Sequence, residues 1–275
     1  MTEPLPPLLL VGCGQMGGAL LEAWIGKGLA PSVIMDRHRD AVSGPHTVVR
    51  ELSKIPEDFM PEAVILAVKP QKAIPVMEEL ATLRPDIAER AVFVSVMAGL
   101  TAGSIAECLR NKAPEATPTI VRAMPNTPCS IGHGMTGLYR APGVTDRQEK
   151  LCDRLLSAVG ATVWVSEEDQ INAVTAISGS GPAYVFLLAE LLEKAAVGLG
   201  LPADVARILA RKTVSGAGAL LDHSPEDAAE LRRRVTSPGG TTAAALAVLN
   251  APANWPSAIP EAVAAAARRA RELAS

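Results

Sequence analysis

At 275 residues the chain has the length of one large domain or two ordinary ones, and with 48% hydrophobic and 20% charged residues it can bury a proper core. That balance excludes disorder, and a net charge of −3 argues against a protein that reads nucleic-acid phosphate through a basic face. Aromatic residues reach only 3%, so a binding site has to be built from backbone, small side chains and a few charges.

The start, Met1-Thr2-Glu3-Pro4, lacks the basic region and small-residue cleavage site of a secretory signal. No uninterrupted apolar run approaches the roughly eighteen residues of a membrane helix. Cys13, Cys108, Cys129 and Cys152 are far apart, with no CxxC and no paired histidines. That spacing suits free thiols in a reducing cytoplasm, and it predicts neither a disulfide frame nor a metal site.

Four short, continuously apolar runs (7–11, 32–35, 63–68 and 91–96) predict strands buried on both faces. Helical stretches at 16–27, 71–83 and 101–110 separate them. The alternation implies right-handed βαβ units and a doubly wound parallel sheet, with two more strands at 119–123 and 162–165. After about Glu167 the apolar residues keep helical spacing. Tyr184, Leu187, Leu188, Leu191, Leu192 and Ala195 form one stripe of a helix starting near Pro182. Pro202 and Pro225 open further helices, and an alanine-rich one at 259–273 places Arg268, Arg269 and Arg271 where they complement its dipole. The expected fold is an α/β domain over 1–166 followed by an all-α helical domain over 167–275.

Gly12-Cys13-Gly14-Gln15-Met16-Gly17-Gly18 follows the first strand and opens the first helix with GxGxxG spacing. Gly12 permits the tight turn, Gly14 lets backbone approach a pyrophosphate, and Gly17 lets helix and strand pack closely. The helix start offers N–H groups and a positive dipole end to the phosphates, so a dinucleotide is the expected cofactor. Asp36, at the end of the second strand, would accept from a ribose 2′-OH and favour NAD(H). Arg37 and Arg39 follow at once and suit a 2′-phosphate, so NADP(H) is preferred, with NAD(H) the alternative.

Ala67-Val68-Lys69-Pro70 and Met97-Ala98-Gly99 end two neighbouring strands at the carboxyl edge of the sheet, where ligands bind in this architecture. Either alone would pass for an ordinary strand exit. Arg122-Ala123-Met124-Pro125-Asn126-Thr127-Pro128 reads as a shaped loop, in which Asn126 bonds either a cofactor carboxamide or its own backbone in an Asx-type turn.

In the helical half, Ser178-Gly179-Ser180-Gly181-Pro182-Ala183-Tyr184 makes a tight helix entry. Ser237-Pro238-Gly239-Gly240-Thr241-Thr242 precedes a helix at 243–249, and its consecutive N–H groups suit a carboxylate, with threonine hydroxyls for a polar atom on the same ligand. A threonine N-cap with a flexible lead-in is the plainer alternative. None of these loops holds a histidine, a cysteine of catalytic spacing or a carboxylate pair. Oxidising an alcohol needs a base for the hydroxyl proton, whereas a protonated C=N needs only hydride and positioning, so the absence favours an imine.

These segments resemble, in order and approximate spacing, those of pyrroline-5-carboxylate reductases, and the SPGGTT and SGSGPAY stretches are the specific ones. The resemblance covers nearly the whole chain. It implies an N-terminal Rossmann domain joined to a helical domain that interleaves with a partner's in a homodimer, with larger rings of dimers also known. It implies NAD(P)H-dependent reduction of 1-pyrroline-5-carboxylate to L-proline, the last step of proline synthesis. By position, Gly12 and Gly14, Gln15, Met16 and Gly17 would hold the pyrophosphate, with Asp36 and Arg37 at the adenosine ribose. Ala67, Val68, Lys69, Pro70, Ala98, Gly99 and Asn126 would flank the remainder of the cofactor. Ser237, Gly239, Gly240 and Thr241 would grip the substrate carboxylate, and Thr242 would hydrogen-bond the ring nitrogen as the catalytic residue. Cofactor and substrate loops at one site would come from different protomers. Two other readings stand behind this one: a β-hydroxyacid dehydrogenase using Lys194 as base, and a non-enzymatic NADP-binding regulator.

Overall fold

A computed structural model describes residues 4–274. Its first half runs β1 (Leu8–Val11), α1 (Gln15–Gly26), β2 (Val33–Met35), β3 (Thr47–Val49), β4 (Ala63–Leu66), α2 (Ala73–Leu83), α3 (Pro85–Arg90) and β5 (Val92–Ser95). It continues through α4 (Ala102–Arg110), β6 (Thr119–Met124), β7 (Gly134–Arg140), α5 (Asp146–Leu156) and β8 (Gly160–Val165). The strands form one sheet in the order β3-β2-β1-β4-β5-β6-β7-β8, with only the β6–β7 pair antiparallel.

Every residue of β1, β2, β4 and β5 is buried, as expected of strands covered on both faces. Side chains alternate across the sheet. Leu8 and Leu10 pack with Leu20, Leu21 and Trp24 of α1 and with Leu151 and Leu155 of α5. Leu9 and Val11 pack on the other face with Met77 and Leu80 of α2 and Ile105 and Leu109 of α4. Trp24 Nε1 donates to the carbonyl of Leu155 at 2.7 Å and fixes α1 against α5. Because β1 pairs with both β2 and β4, the strand order reverses there, and the crevice beyond the carboxyl ends of β1 and β4 is where such a sheet binds ligands.

Two strands were not predicted. β3 is a three-residue edge whose Thr47 is exposed, too short to show a period. β7 carries Gly134 and Gly137 in place of an apolar run, and the structure needs both. A Cβ on Gly137 would lie 2.4 Å from Val174 Cγ1, and one on Gly134 2.2 Å from Cys129 Sγ. The expected strand at 119–123 is present and runs on to Met124, so Arg122, Ala123 and Met124 belong to β6 and the shaped loop begins at Pro125; the Arg122 side chain is buried and paired with the half-buried Glu168.

The helical half runs α6 (Gln170–Val174), a π-turn at Thr175–Gly179, α7 (Gly181–Gly198), α8 (Ala203–His223), α9 (Ala228–Arg234), α10 (Thr241–Leu249) and α11 (Trp255–Ala274). Pro182 sits in the first turn of α7 and Pro202 caps α8, but Pro225 precedes α9, whose N-cap is Asp227. By packing, one unit runs to Gly179 and takes in the chain from Ala267, and the second is Ser180–Ala266. Within the second unit α7 buries none of its residues, and Phe186 and Ile208 are 65% and 61% exposed, so large apolar faces lie open on the single chain.

The continuous helical stretch Gln170–Gly198, 29 residues, is by length and composition apolar enough to cross a membrane. Counting uninterrupted apolar residues missed it because Asn172, Thr175, Ser178 and Ser180 punctuate the stretch. All four cysteines are buried, and that burial pushes the thiols of Cys13, Cys108 and Cys129 up and that of Cys152 to about 12.

Candidate functional site

The turn after β1 is built by its glycines. Gly12 has φ +95°, and a Cβ there would sit 2.8 Å from the Ala67 carbonyl. A Cβ on Gly17 would lie 2.2 Å from the carbonyl oxygen of Gly12. These contacts press α1 onto the exits of β1 and β4, which Ala67 N–H ties together by donating to Val11 O at 2.8 Å. Gly14 is the opposite case, for nothing lies within 4 Å of where its Cβ would be. It is also the N-cap of α1 and has no side chain with which to cap the first turn. Open space, glycine and an uncapped helix start carrying Gln15 and Met16 fit a dinucleotide pyrophosphate.

Asp36 closes the second strand, and its carboxylate is held by backbone. Oδ2 accepts from Cys13 N–H at 2.7 Å, and Oδ1 accepts from the N–H groups of His38 and Arg39 at 2.8 and 3.1 Å. It therefore ties the glycine turn to the end of β2. Arg37 is exposed, and a guanidinium nitrogen of Arg39 lies 3.6 Å from the Cβ position of Gly18, over the start of α1. Burial alone would raise the Asp36 pKa, but the N–H groups of His38, Cys13 and Arg39 outweigh it and hold the carboxyl below its ordinary value. A depressed folded-state pKa contributes stability that is present above the unfolded value, about 3.9, and is lost as pH falls through the folded one. Urea denaturation between pH 3 and 7 should therefore show the wild type losing stability below about pH 4, and Asp36→Asn losing less over that interval because its share is already gone. Equal acid slopes in the two proteins would refute the assignment.

Lys69 is exposed and caps a 3₁₀ turn, Pro70–Lys72, that leads into α2, so the helix expected from Pro70 becomes regular at Ala73. Val68 lines the Gly12 turn, with its Cγ1 2.9 Å from the Cβ position there. Ala98 and Gly99 form a turn between β5 and α4, in which Gly99 has φ +79°. Val96 N–H donates to Leu66 O at 3.1 Å, placing this exit beside that of β4. Asn126 uses both ends of its amide on backbone: Oδ1 accepts from Met135 N–H at 2.9 Å, and Nδ2 donates to Ser178 O at 3.1 Å. It ties the β6 exit to β7 and to the π-turn. The sheet thus brings together the residues of the glycine turn, Asp36, Ala67–Pro70 and the Ala98–Gly99 turn along one edge.

The second unit holds the other loop. Gly240 N–H donates to Ser237 O at 3.0 Å, closing a turn in which Gly239 takes φ +69°. Gly240, and neither threonine, is the N-cap, so α10 starts at Thr241 and places Thr241 and Thr242 in its first turn. A glycine N-cap leaves the N–H groups of that turn to an external acceptor, and Thr242 is half-buried beside them. Sequence reasoning missed Glu168, which accepts from Ala102 N–H at 2.7 Å and from Arg122 at 3.1 Å. The acidic run 167–169 after the last strand was its only signal.

Residues 168–273 match the family model described as pyrroline-5-carboxylate reductase dimerisation, and residues 8–99 match that of NADP oxidoreductase, coenzyme F420-dependent. The chain is 35% identical over 274 residues to the pyrroline-5-carboxylate reductase of Pseudomonas aeruginosa, covering 98% of this chain and 97% of that one. It is 38% identical over 291 residues to that of Mycobacterium tuberculosis, covering 97% and 96%. Among solved structures, the Coxiella burnetii pyrroline-5-carboxylate reductase superimposes with a TM-score of 0.87 at 35% identity, over 98% of both chains. The Plasmodium falciparum pyrroline carboxylate reductase, solved with NADP bound, gives 0.80 at 25% identity, again over 98% of each. With full-length likeness in sequence and fold, and helical residues that match a dimerisation domain, this chain belongs to the pyrroline-5-carboxylate reductase family.

Proposed function

We infer that this chain reduces the C=N bond of 1-pyrroline-5-carboxylate to L-proline, the last step of proline biosynthesis, with NADPH as the preferred hydride source. The observation that carries the reading is the Ser237–Gly240 turn, in which Gly239 at φ +69° and a glycine N-cap leave the start of α10 bare. In this reading residues 1–166 hold the cofactor, and 167–275 bind the substrate and dimerise.

When bound, the reduced nicotinamide supplies hydride to the imine carbon. The chain's own part is to hold and orient. The N–H groups of Gly239 and Thr241 take the substrate carboxylate, helped by the positive end of α10 and the Ser237 hydroxyl, while Gly240, expected to share in that grip, spends its own N–H on Ser237 O and shapes the turn instead. The Thr242 hydroxyl bonds the ring nitrogen, which arrives protonated and leaves as the amine of proline. The turn at Gly14–Gly17 takes the pyrophosphate, and the Ala67–Pro70 and Ala98–Gly99 exits flank the ribose and nicotinamide. Asn126 serves them by fixing the β6 exit. Placing two reactants in register supplies about 7–11 kcal/mol of barrier lowering in well-aligned cases, so no acid–base residue is required. The preference for NADPH follows from Asp36, whose oxygens already serve three N–H groups, and from Arg37 and Arg39 beside them.

A lysine-base dehydrogenase is disfavoured, because Lys194 pairs with Glu190 one turn away at 2.5 Å and is 67% exposed. Oxidation of NADPH and NADH with racemic pyrroline-5-carboxylate, beside oxidation of 3-hydroxy acids, tests the reading. Turnover of the pyrroline with NADPH ahead of NADH is expected, and activity confined to hydroxy acids would overturn it. The open apolar faces of α7 and α8 are read as the homodimer surface, dimers assembling further into a ring, in the cytoplasm; light scattering reports the assembly.

A further inference from the structure

We propose that Glu168, anchored by Arg122, is a positioning residue for the turn between β5 and α4, and through it for the nicotinamide. The proposal rests on the reading that Ala98 and Gly99 flank that ring. Arg122 lies in β6 opposite Ser95, the last residue of β5, and its side chain is 4% exposed. A guanidinium so buried requires a partner, and Glu168 Oε1 is that partner at 3.1 Å. The same oxygen accepts from Ala102 N–H at 2.7 Å, the first amide of α4. Thr101 caps a different donor, Ser104 N–H, so Glu168 is the acceptor that sets where the turn ends.

The middle of the turn is held from a second side. A Cβ on Gly99 would lie 2.5 Å from the carbonyl oxygen of Leu273, at the end of α11. Arg271 of the same helix end pairs with Asp169, the neighbour of Glu168, at 3.4 Å. Glu168 acts directly at the exit, whereas Asp169 meets the α11 support only through an exposed ion pair, which contributes little. Neither touches the reacting atoms by this reading; they fix the surface against which the ring lies.

Two double variants separate positioning from plain stability: Arg122→Met with Glu168→Gln, and Arg122→Met with Glu168→Ala. Both remove the buried charge pair, so neither strands an ion, but only the glutamine retains an acceptor for Ala102 N–H. The first readout is hydrogen exchange at residues 96–103 in the ligand-free protein, where the alanine form should exchange at least about tenfold faster and the glutamine form should stay protected. The second is steady-state kinetics, where the alanine form should lose on the order of 10²-fold in kcat with a nearly unchanged KM for the pyrroline, and the glutamine form should recover most of it. Equal exchange and equal kcat in the two forms would overturn the proposal. Failure of the wild type to reduce the pyrroline would overturn the functional reading instead, while the exchange comparison would still decide whether Glu168 orders the turn.

Discussion

Gly17→Val should weaken cofactor binding severely and lower the melting temperature together. The first atom of any side chain at this position falls 2.2 Å from the Gly12 carbonyl oxygen and 3.3 Å from the Ala67 Cβ. Both neighbours belong to rigid structure, since Gly12 is tied to β2 by its N–H to Met35 O and Ala67 to β1 by its N–H to Val11 O. Neither can retreat without opening the β1–β4 crevice. Overpacking at such a contact costs about 1–3 kcal/mol, and the displaced helix start takes with it the amides proposed to hold the pyrophosphate. NADPH affinity, measured by nucleotide fluorescence, should fall by at least about 10²-fold. Gly14→Ala provides the contrast, because a Cβ there meets nothing and φ is −72°. It should lower affinity by intruding on the pyrophosphate while leaving the melting temperature far less changed. Similar melting temperatures for Gly17→Val and the wild type would refute the packing argument.

Thr242→Val should lower kcat by roughly 10²-fold, the scale for losing one preorganised hydrogen-bonding partner at a reacting group, here the hydroxyl oxygen that accepts from the protonated ring nitrogen. The substitution keeps the β-branched shape and removes only the hydroxyl. Thr242 lies in the first turn of α10 and does not cap it, so the helix start and its amides should survive. Thr242→Ser should keep most of the activity, which separates the hydroxyl from the methyl group. Single-turnover measurements at saturating NADPH isolate the hydride step, and an unaltered rate in the valine variant would remove Thr242 from the mechanism.

Much of the sheet was legible because burial on both faces writes itself into sequence as unbroken apolar runs, and β1, β4 and β5 are such runs. The glycine turn was legible for a related reason: the close approaches at Gly12 and Gly17 admit no other residue. β7 was not, since its glycines answer to Val174 and Cys129, partners that sequence spacing does not reveal. The same holds for individual side chains. Asp36 reads locally as a ribose acceptor, yet one of its oxygens serves Cys13, 23 residues away. Glu168 has partners 46 and 66 residues distant, so its role appears only once the chain has folded. The Ser237–Thr242 segment was legible as a glycine-led helix start because its backbone is set locally, although the helix begins two residues earlier than expected.

The four buried thiols are sheltered from reagents as well as from solvent. Only a thiolate reacts readily with alkylating agents, and burial denies these sulfurs both ionisation and access while the sheet domain stays closed. Alkylation therefore times the breathing of the protein. Cys108 keeps company with α2 and α4 on one face of the sheet, whereas Cys13, Cys129 and Cys152 sit on the other, so site-resolved labelling would clock the two layers independently.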